Sequence, residues 1–269
     1  RSSDLAIETL AGSVLIAVAV FCGPTRLIDN VVVGIGADGV EVPNASGANA
    51  AIALNNTVDG INVYQLVLNA SGVGGTVAVN GLIGNAITNT NKVATLTVTG
   101  ITTLNADIYT TSNQTYNSAV KLGGNRILDS NGGTIQFVST INALTAGAQG
   151  LTIAGSGYTT FDGAVGAAAA LAYLNETSSA ATYINNSIST TGYQIFTGVV
   201  TVGVTSGSVA AFRTDNADVT FTGAIDGLAA GAQGLSFSTG SGSLNLKNIG
   251  ATTAMASVTT AAEIGRAHV

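Results

Sequence analysis

Three aspartates toward the C-terminal end of the chain are the best candidates for acid–base chemistry. Asp215 and Asp218 lie in the segment RTDNADVTF beside Arg213, and Asp226 follows in the next predicted turn. Two carboxylates can act as acid and base on a glycosidic bond, so this cluster makes a polysaccharide-cleaving enzyme one interpretation of the chain. The paired adjacent aspartates and basic partners of such enzymes are not visible, and aspartate is a common turn former. We therefore assign no catalytic residue and keep the enzyme as the alternative.

A glycine-rich motif near the N-terminal end has the spacing of a dinucleotide-binding fingerprint. Gly34, Gly36 and Gly39 follow a strand-like run of valines, and Asp59 stands twenty positions after the last glycine. The pyrophosphate would need a helix N-terminus directly after that glycine. The segment there is VEVPNASG, which is β-branched and interrupted by Pro43. The motif therefore predicts a turn between two strands and no bound cofactor.

Nucleophilic and metal chemistry have little support in the residue types present. The chain has one cysteine and one histidine, His268, which lies near the very end. We expect that terminal segment to be non-native, so no histidine base remains for nucleophilic catalysis. Neither a nucleophile elbow nor an aspartate-rich calcium loop occurs in the sequence. We expect no metal site and no enzymatic activity.

The charge and composition exclude several classes of protein. The 269 residues carry 8 basic and 14 acidic side chains, scattered without runs, for a net charge of −6, which opposes a phosphate-backbone partner. The longest continuously apolar stretch, Leu10 to Gly23, is about 14 residues, shorter than the roughly 18 that a spanning helix needs. We therefore expect neither nucleic-acid binding nor a spanning segment.

The same composition predicts the fold class. Only 8% of the residues are charged, whereas 46% are apolar and 35 are glycines. Thr, Asn, Ser, Gly and Val are abundant. Helix-forming Lys, Glu and Arg are scarce, and β-branched residues favour strands. The sequence predicts an all-β protein.

Two internal repeats indicate how the strands are arranged. Thr110 to Leu122 returns as Thr190 to Val202 at an offset of 80, and Thr134 to Leu151 returns as Asp218 to Leu235 at an offset of 84. A shorter unit, an aromatic residue followed four positions later by Val or Ile, recurs mostly every 21 to 25 residues. Its members are Tyr116/Val120, Phe137/Ile141, Phe161/Val165, Phe196/Val200 and Phe221/Ile225, with one irregular step of 35 between Phe161 and Phe196 that Tyr183 would bridge as a degenerate member.

This period predicts a parallel β-helix, that is, a β-solenoid with coils of roughly 20–25 residues. A unit of that length cannot bury its own apolar side and must stack on its neighbours. We expect about 12 coils, a rod of roughly 55 Å at a rung spacing of about 4.8 Å. The repeated aromatics would form interior columns rather than a sugar-stacking surface.

The segment TLTVTGITTL illustrates the predicted strand pattern. Leu96, Val98 and Ile101 are expected to point inward and the intervening threonines outward, with a slip at Gly100 where the strand turns a corner. Apolar columns would fill the interior, and uncharged hydroxyl ladders would avoid like-charge repulsion between coils.

The chain divides into four parts on this interpretation. Residues 46–263 are the solenoid repeats, and residues 5–45 are an irregular, strand-rich lead-in. Residues 1–4 (RSSD) and 264–269 (IGRAHV) resemble translated sequencing-adapter ends, so we expect them to be non-native and the chain to be an internal fragment.

The repeats also resemble a known family. The segments TTLNADIYTTSNQTYNSAVKL, GGTIQFVSTINAL and YTTFDGAVGAAAALAYL are similar to the repeats of large bacterial exoproteins of the filamentous-haemagglutinin and autotransporter-adhesin type, over roughly Thr95 to Ala262. The resemblance implies a right-handed parallel β-helix, export through the outer membrane of a Gram-negative cell by a translocator, and a place on the cell surface or outside the cell. It implies a role as an adhesin stalk whose partners are glycans or proteins of a host or neighbouring cell. A viral fibre segment would share the fold.

Overall fold

The computed structural model describes residues 21–22, 25–26, 34–36, 39–44, 48–58, 65–85, 92–178 and 180–261, with side chains from residue 48 onward. Throughout these residues the regular structure consists of strands, with no helix among them. Almost all of the pairing is parallel between successive passes of the chain, so the protein is a β-solenoid, as the composition and repeats predicted. Two short strands, β1 (Phe21–Cys22) and β2 (Thr25–Arg26), form a separate antiparallel pair.

The coils have three sides, and each side contributes strands to one face. Face 1 contains β3 (Gly34–Gly36), β4 (Gly39–Asn44), β6 (Gln65–Asn69), β8 (Thr95–Thr99), β11 (Gln114–Tyr116), β14 (Ile135–Phe137), β17 (Thr159–Phe161), β19 (Ala181–Ile184), β22 (Val199–Val202) and β25 (Ile225–Gly227). Face 2 contains β5 (Ala51–Leu54), β7 (Thr76–Val79), β9 (Ile101–Leu104), β12 (Val120–Leu122), β15 (Ile141–Ala143), β20 (Ile188–Ser189), β23 (Val209–Arg213), β26 (Gly234–Ser238) and β28 (Ser257–Thr260). Face 3 contains β10 (Ile108–Tyr109), β13 (Arg126–Asp129), β16 (Leu151–Ala154), β18 (Leu174–Glu176), β21 (Gln194–Phe196), β24 (Val219–Phe221) and β27 (Leu244–Asn245).

Single bridging residues complete the sides that have no named strand. Val165 joins Ile141 to Ile188 on face 2, and Val58 and Ile83 extend face 3 toward the N-terminal end. The described residues make about eight turns, fewer than the twelve expected. Coil length, measured between paired residues, runs from 18 residues (Ile184 to Val202) to 30 (Leu68 to Val98), a wider range than the predicted 20–25.

Inward-facing side chains form one continuous apolar core. Tyr116, Phe137 and Phe161 are 0 to 1% exposed and stack along face 1, with ring centroids 5.0 and 5.6 Å apart. Phe196 and Phe221 stack at 4.7 Å on face 3. The expectation that the repeated aromatics form interior columns is therefore confirmed.

One inward assignment was wrong. Gly100 turns the corner as predicted, with φ of 120°, but Ile101 points outward and is 42% exposed. Thr102 takes the inward position at 1% exposure, and its hydroxyl donates to the Gly100 carbonyl at 2.9 Å. The predicted slip does not occur, because the alternation continues through the corner: Leu96, Val98, Gly100, Thr102 and Leu104 are all buried.

The irregular step between Phe161 and Phe196 follows from a change of face. Phe161 lies on face 1 and Phe196 on face 3, so the chain passes five sides between them instead of the three of a full coil. The partner of Phe161 on the next coil is Ile184. Tyr183 is the neighbouring outward residue and not a degenerate member of the aromatic column.

A glycine turn occurs three times, once on each face. Gly84, Gly166 and Gly250 have φ of 71°, 71° and 66°, and each amide donates at 2.7 to 2.8 Å to a carbonyl of the preceding coil. These glycines follow Ile83 on face 3, Val165 on face 2 and Ile249 on face 1, at spacings of 82 and 84 positions. The same local structure therefore moves round the solenoid by one face at each recurrence.

This rotation defines the true repeat of the molecule. Strands β8 to β17 are ten successive sides and Val165 is the eleventh; strands β18 to β27 are again ten and Ile249 the eleventh. Eleven sides of a three-sided coil make three and two-thirds turns. The sequence repeats at offsets of 80 and 84 are therefore real, but equivalent residues lie on different faces.

The glycine-rich motif is a hairpin, which confirms the sequence prediction. Strands β3 and β4 pair antiparallel with Gly36 opposite Gly39. Parallel stacking begins at β4, where Val40 pairs with Leu66, within the segment predicted as the lead-in. Asp59 and the two ends predicted to be non-native, residues 1–4 and 264–269, lie outside the described residues.

Candidate functional site

The candidate aspartates do not gather at one place. Asp215 and Asp218 share the corner between faces 2 and 3, whereas Asp226 lies on β25 of face 1. Asp218 Oδ1 accepts from Ser243 N at 2.7 Å, and Asp226 Oδ1 accepts from Thr252 N and Thr253 N at 2.9 and 3.0 Å. Arg213 is exposed on β23 and makes no ion pair with these carboxylates in the described structure. The residues of the alternative, enzymatic interpretation therefore point outward from different sides.

Carboxylates elsewhere on the rod have the same role as those of Asp218 and Asp226. Asp162 accepts from Gln136 Nε2 at 2.8 Å and from Asn185 Nδ2 at 2.6 Å, which links three successive coils. Asp107 Oδ1 accepts from Ile127 N at 2.9 Å and lies 3.5 Å from Arg126 Nη1. Each carboxylate satisfies amide groups of an adjacent coil at a corner or edge.

One buried carboxyl was missed by the sequence analysis. Glu176 on β18 is 0% exposed and points into the core, where it stands between Ile153 and Phe196 of the adjacent coils. Its Oε1 accepts from Thr159 Oγ1 and Ser178 N, both at 3.1 Å, and from Ser178 Oγ. No hydrogen-bond partner of Oε2 occurs among the described residues. Burial raises the pKa of Glu176 above its ordinary value of 4.5, and hydrogen bonds from the neighbouring hydroxyls oppose that rise only in part.

The sequence signal for this carboxyl was the alternation itself. Leu174 and Glu176 are both inward on β18, so the period of two places Glu176 inside once the strand is identified. The segment AYLNETSS does not reveal the strand from the sequence alone, because polar residues follow Leu174 and no second apolar residue marks the period of two.

Two buried glutamines occupy equivalent corners of the repeat. Gln114 Nε2 donates to Asp129 O at 2.9 Å, and Gln194 Nε2 donates to Arg213 O at 2.8 Å. Gln114 Oε1 accepts from the Tyr116 hydroxyl at 3.0 Å, whereas Gln194 Oε1 has no partner among the described residues because Phe196 replaces the tyrosine. These side chains support the corners and are not accessible to a ligand.

The accessible aromatic groups are tyrosines on the outer faces. Tyr173 and Tyr193 stack on adjacent coils of face 3, with centroids 5.2 Å apart and planes within 13°. On the preceding coil the Tyr173 ring lies against Gly150, where a Cβ would overlap the ring. Tyr193 is 40% exposed; partial burial, and then the charge of Tyr173, raise its pKa. A second pair, Tyr158 and Tyr183 on face 1, is tilted by 44° at 6.1 Å.

Among the described residues, no group of three or more His, Cys, Asp or Glu side chains is placed to bind a metal ion. The described part of the chain also contains no helix that is long and apolar enough to cross a membrane.

The fold and these contacts define the chain as a parallel β-solenoid repeat protein. Its corners are held by hydrogen bonds between coils, and its outer faces are polar apart from a few aromatic and aliphatic side chains. Comparisons with protein-family models, with curated proteins and with solved structures found no match to this chain.

Proposed function

We propose that this chain is a structural and adhesive segment of a large secreted or surface-anchored bacterial repeat protein, and that it catalyses no reaction. The observation that supports this proposal is the use made of the carboxylates. Those of Asp107, Asp162, Asp218 and Asp226 all accept hydrogen bonds between coils, so the acidic groups that could act on a substrate are part of the framework.

The architecture fits a spacer. Each coil stacks on the next through backbone hydrogen bonds on three faces, so the rod extends by about 4.8 Å per turn. Such a segment holds a binding region away from a surface, and its own polar faces provide broad, weak contacts.

The proposal places the protein outside a Gram-negative cell, in an autotransporter or filamentous-haemagglutinin type of exoprotein exported by an outer-membrane translocator. Its partners would be glycans or proteins of a host or neighbouring cell. The resemblance of the repeats supports this placement, and the solenoid fold agrees with it.

Adhesion by coated beads tests the proposal. Beads carrying the chain are washed over epithelial cells and bacterial films, with beads carrying a globular protein of similar size and charge as the control. We expect greater retention of the solenoid beads. Equal retention of both kinds of bead would contradict an adhesive role.

The enzymatic alternative has its own assay. The chain is incubated with acidic and neutral polysaccharides, and the released reducing ends are measured for the wild type and for Asp218→Ala. We expect no release from either protein. Release that depends on Asp218 would overturn the proposal.

A further inference from the structure

The tyrosine stack of face 3 ends in an open step. The residues that succeed one another along this outward column, one per coil, are Gly150, Tyr173, Tyr193, Asp218 and Ser243, since each directly precedes a residue of the paired strands β16, β18, β21, β24 and β27. The two stacked rings of Tyr173 and Tyr193 are therefore followed in this column by two shorter side chains, those of Asp218 and Ser243. We call Tyr173, Tyr193, Asp218 and Ser243 the tyrosine step.

One face of the Tyr193 ring is directed toward the following coils, which carry Asp218 and Ser243 in the same column. Its other face is covered by Tyr173, which in turn rests on Gly150. Asp218 is on the next coil, because Gln194 N donates to Asp218 O at 2.9 Å. The Asp218 carboxylate is turned toward Ser243 N, in the direction away from Tyr193. A ring-shaped ligand can therefore lie against Tyr193 at the height that a third tyrosine would occupy.

We propose that the tyrosine step binds a neutral pyranose unit of a glycan chain. The face of an aromatic ring is negative, and the axial C–H bonds of a pyranose carry partial positive charge, so the two flat surfaces attract each other. The stack holds the Tyr193 ring in place before the sugar arrives, which lowers the ordering cost of binding. This inference rests on the adhesive function proposed above and names its ligand.

The groups beside the step suit hydroxyl groups. The Asp218 carboxylate is exposed and retains acceptor capacity beyond its bond to Ser243. Thr220 and Asn245 lie in the adjacent outward column and are joined by a bond of 3.2 Å between Asn245 Nδ2 and Thr220 Oγ1. These side chains offer both acceptors and donors at the level of the bound ring.

The charge near the step favours a neutral sugar over an acidic one. Asp215 and Asp218 are both exposed at the corner of this coil with Arg213 beside them, and the next exposed cation among the described residues, Lys247, follows Ser243 by four positions on the adjacent coil. A uronic acid would meet a net negative surface, whereas an uncharged sugar would keep its hydroxyl contacts to the carboxylate.

Saturation-transfer NMR with neutral hexasaccharides of glucose and mannose tests the inference, and a galacturonate hexamer serves as the acidic comparison. We expect the wild type and Tyr193→Phe to bind the neutral hexamers and Tyr193→Ala to lose about tenfold in affinity, because the stacking surface is removed. The matched control is Tyr158→Ala, which removes a somewhat more exposed ring, 49% against 40% for Tyr193, from the tilted pair on face 1 and should bind as the wild type does. Asp218→Asn, which can still accept from Ser243 N, should weaken binding a few-fold.

Several results would overturn the inference. These are equal affinity of the wild type and Tyr193→Ala, equal losses in Tyr158→Ala, tighter binding of the galacturonate hexamer, or no binding of any neutral hexamer at millimolar concentration. Thermal unfolding of each variant checks that the fold is intact. The bead assay separates the two proposals: wild-type beads that adhere although the protein binds no neutral hexamer would retain the adhesive function and reject this site.

Discussion

A single hydroxyl distinguishes two corners that are otherwise equivalent. Tyr116 satisfies the buried Gln114 Oε1, and Phe196 leaves the corresponding Gln194 Oε1 without a partner. A buried acceptor without a hydrogen bond costs about 1–3 kcal/mol, so the first repeat is better satisfied than the second at this position.

Exchange of the two aromatic residues should therefore have opposite effects on stability. We expect Tyr116→Phe to lower the free energy of unfolding by about 1–2 kcal/mol, and Phe196→Tyr to raise it by up to about 1 kcal/mol, because the new hydroxyl reaches Gln194 Oε1. Urea denaturation followed by circular dichroism measures both changes. A shift of the same sign in both variants would contradict this account of the corner.

The buried Glu176 makes stability depend on pH. Its pKa in the folded protein is raised, chiefly by burial, above the ordinary value of 4.5, so the folded state binds more protons than the unfolded state. The described neighbours carry no titratable charge that would offset this effect: they are Ile153 and Phe196 on the adjacent coils, Thr159 on β17, Thr182 on β19, and Ser178 just after β18. The contribution is complete below pH 4.5 and is lost as the pH rises through the raised pKa.

Glu176→Gln should remove this dependence. A glutamine keeps an oxygen for Ser178 and Thr159 but does not ionise, so its stability relative to the wild type should increase as the pH rises from 4 to 8. Unfolding midpoints of both proteins across this range give the difference curve. A flat difference curve would show that the carboxyl does not change its protonation on folding.

At the scale of strands and corners, the sequence predicted the alternation but not the number of residues in each corner. Leu96, Val98 and the repeated aromatics were placed inward correctly because a period of two within one strand needs no knowledge of the neighbours. Ile101 was misplaced because a slip was expected at Gly100, where the alternation continues. Tyr183 was misplaced because the repeated aromatic residue moves from face 1 to face 3, so its step is not one coil. Glu176 was missed because its strand is only three residues long, too short to show a period.

The glycine turn at Gly166 lies against the next coil, and Gly166→Ala tests that contact. Gly166 and Gly231 share φ near +70°, but a Cβ on Gly166 would overlap the Ser189 carbonyl, whereas nothing lies within 4 Å of a Cβ on Gly231. Gly231→Ala should cost about 1–2 kcal/mol from backbone conformation alone. Gly166→Ala should cost about 2 kcal/mol more, since the coils must separate. Thermal unfolding of the two variants gives the comparison, and equal losses would mean that the contact with Ser189 does not constrain the turn.

For the whole molecule, the repeat of eleven sides has a consequence for surface display. A feature carried once per repeat appears on face 3, then face 2, then face 1, as the three glycine turns do. Each coil contacts only its neighbours. The coils of one repeat can therefore stack on the repeat before them although equivalent strands of the two repeats lie on different faces. The three sides must then be interchangeable as surfaces for stacking.

Deletion of one repeat tests whether the sides are interchangeable. Removal of residues 114–193 joins Asn113 to Gln194 and places Gln194 where Gln114 stood on Leu96. We expect this shortened chain to fold cooperatively into a rod about 18 Å shorter, eleven-thirds of a rung spacing, with everything beyond the junction rotated by one face. The matched control removes one residue more, 114–194, which directs Phe196 outward and exposes the apolar side of the strand. Circular dichroism and small-angle scattering should show a folded, shorter rod for the first deletion and an aggregated or unfolded chain for the second. If neither deletion folds, the stacking surface of each coil is specific to its own face. If both fold equally well, the inward and outward register at the junction does not decide folding, and the repeat of eleven sides does not explain how the rod is assembled.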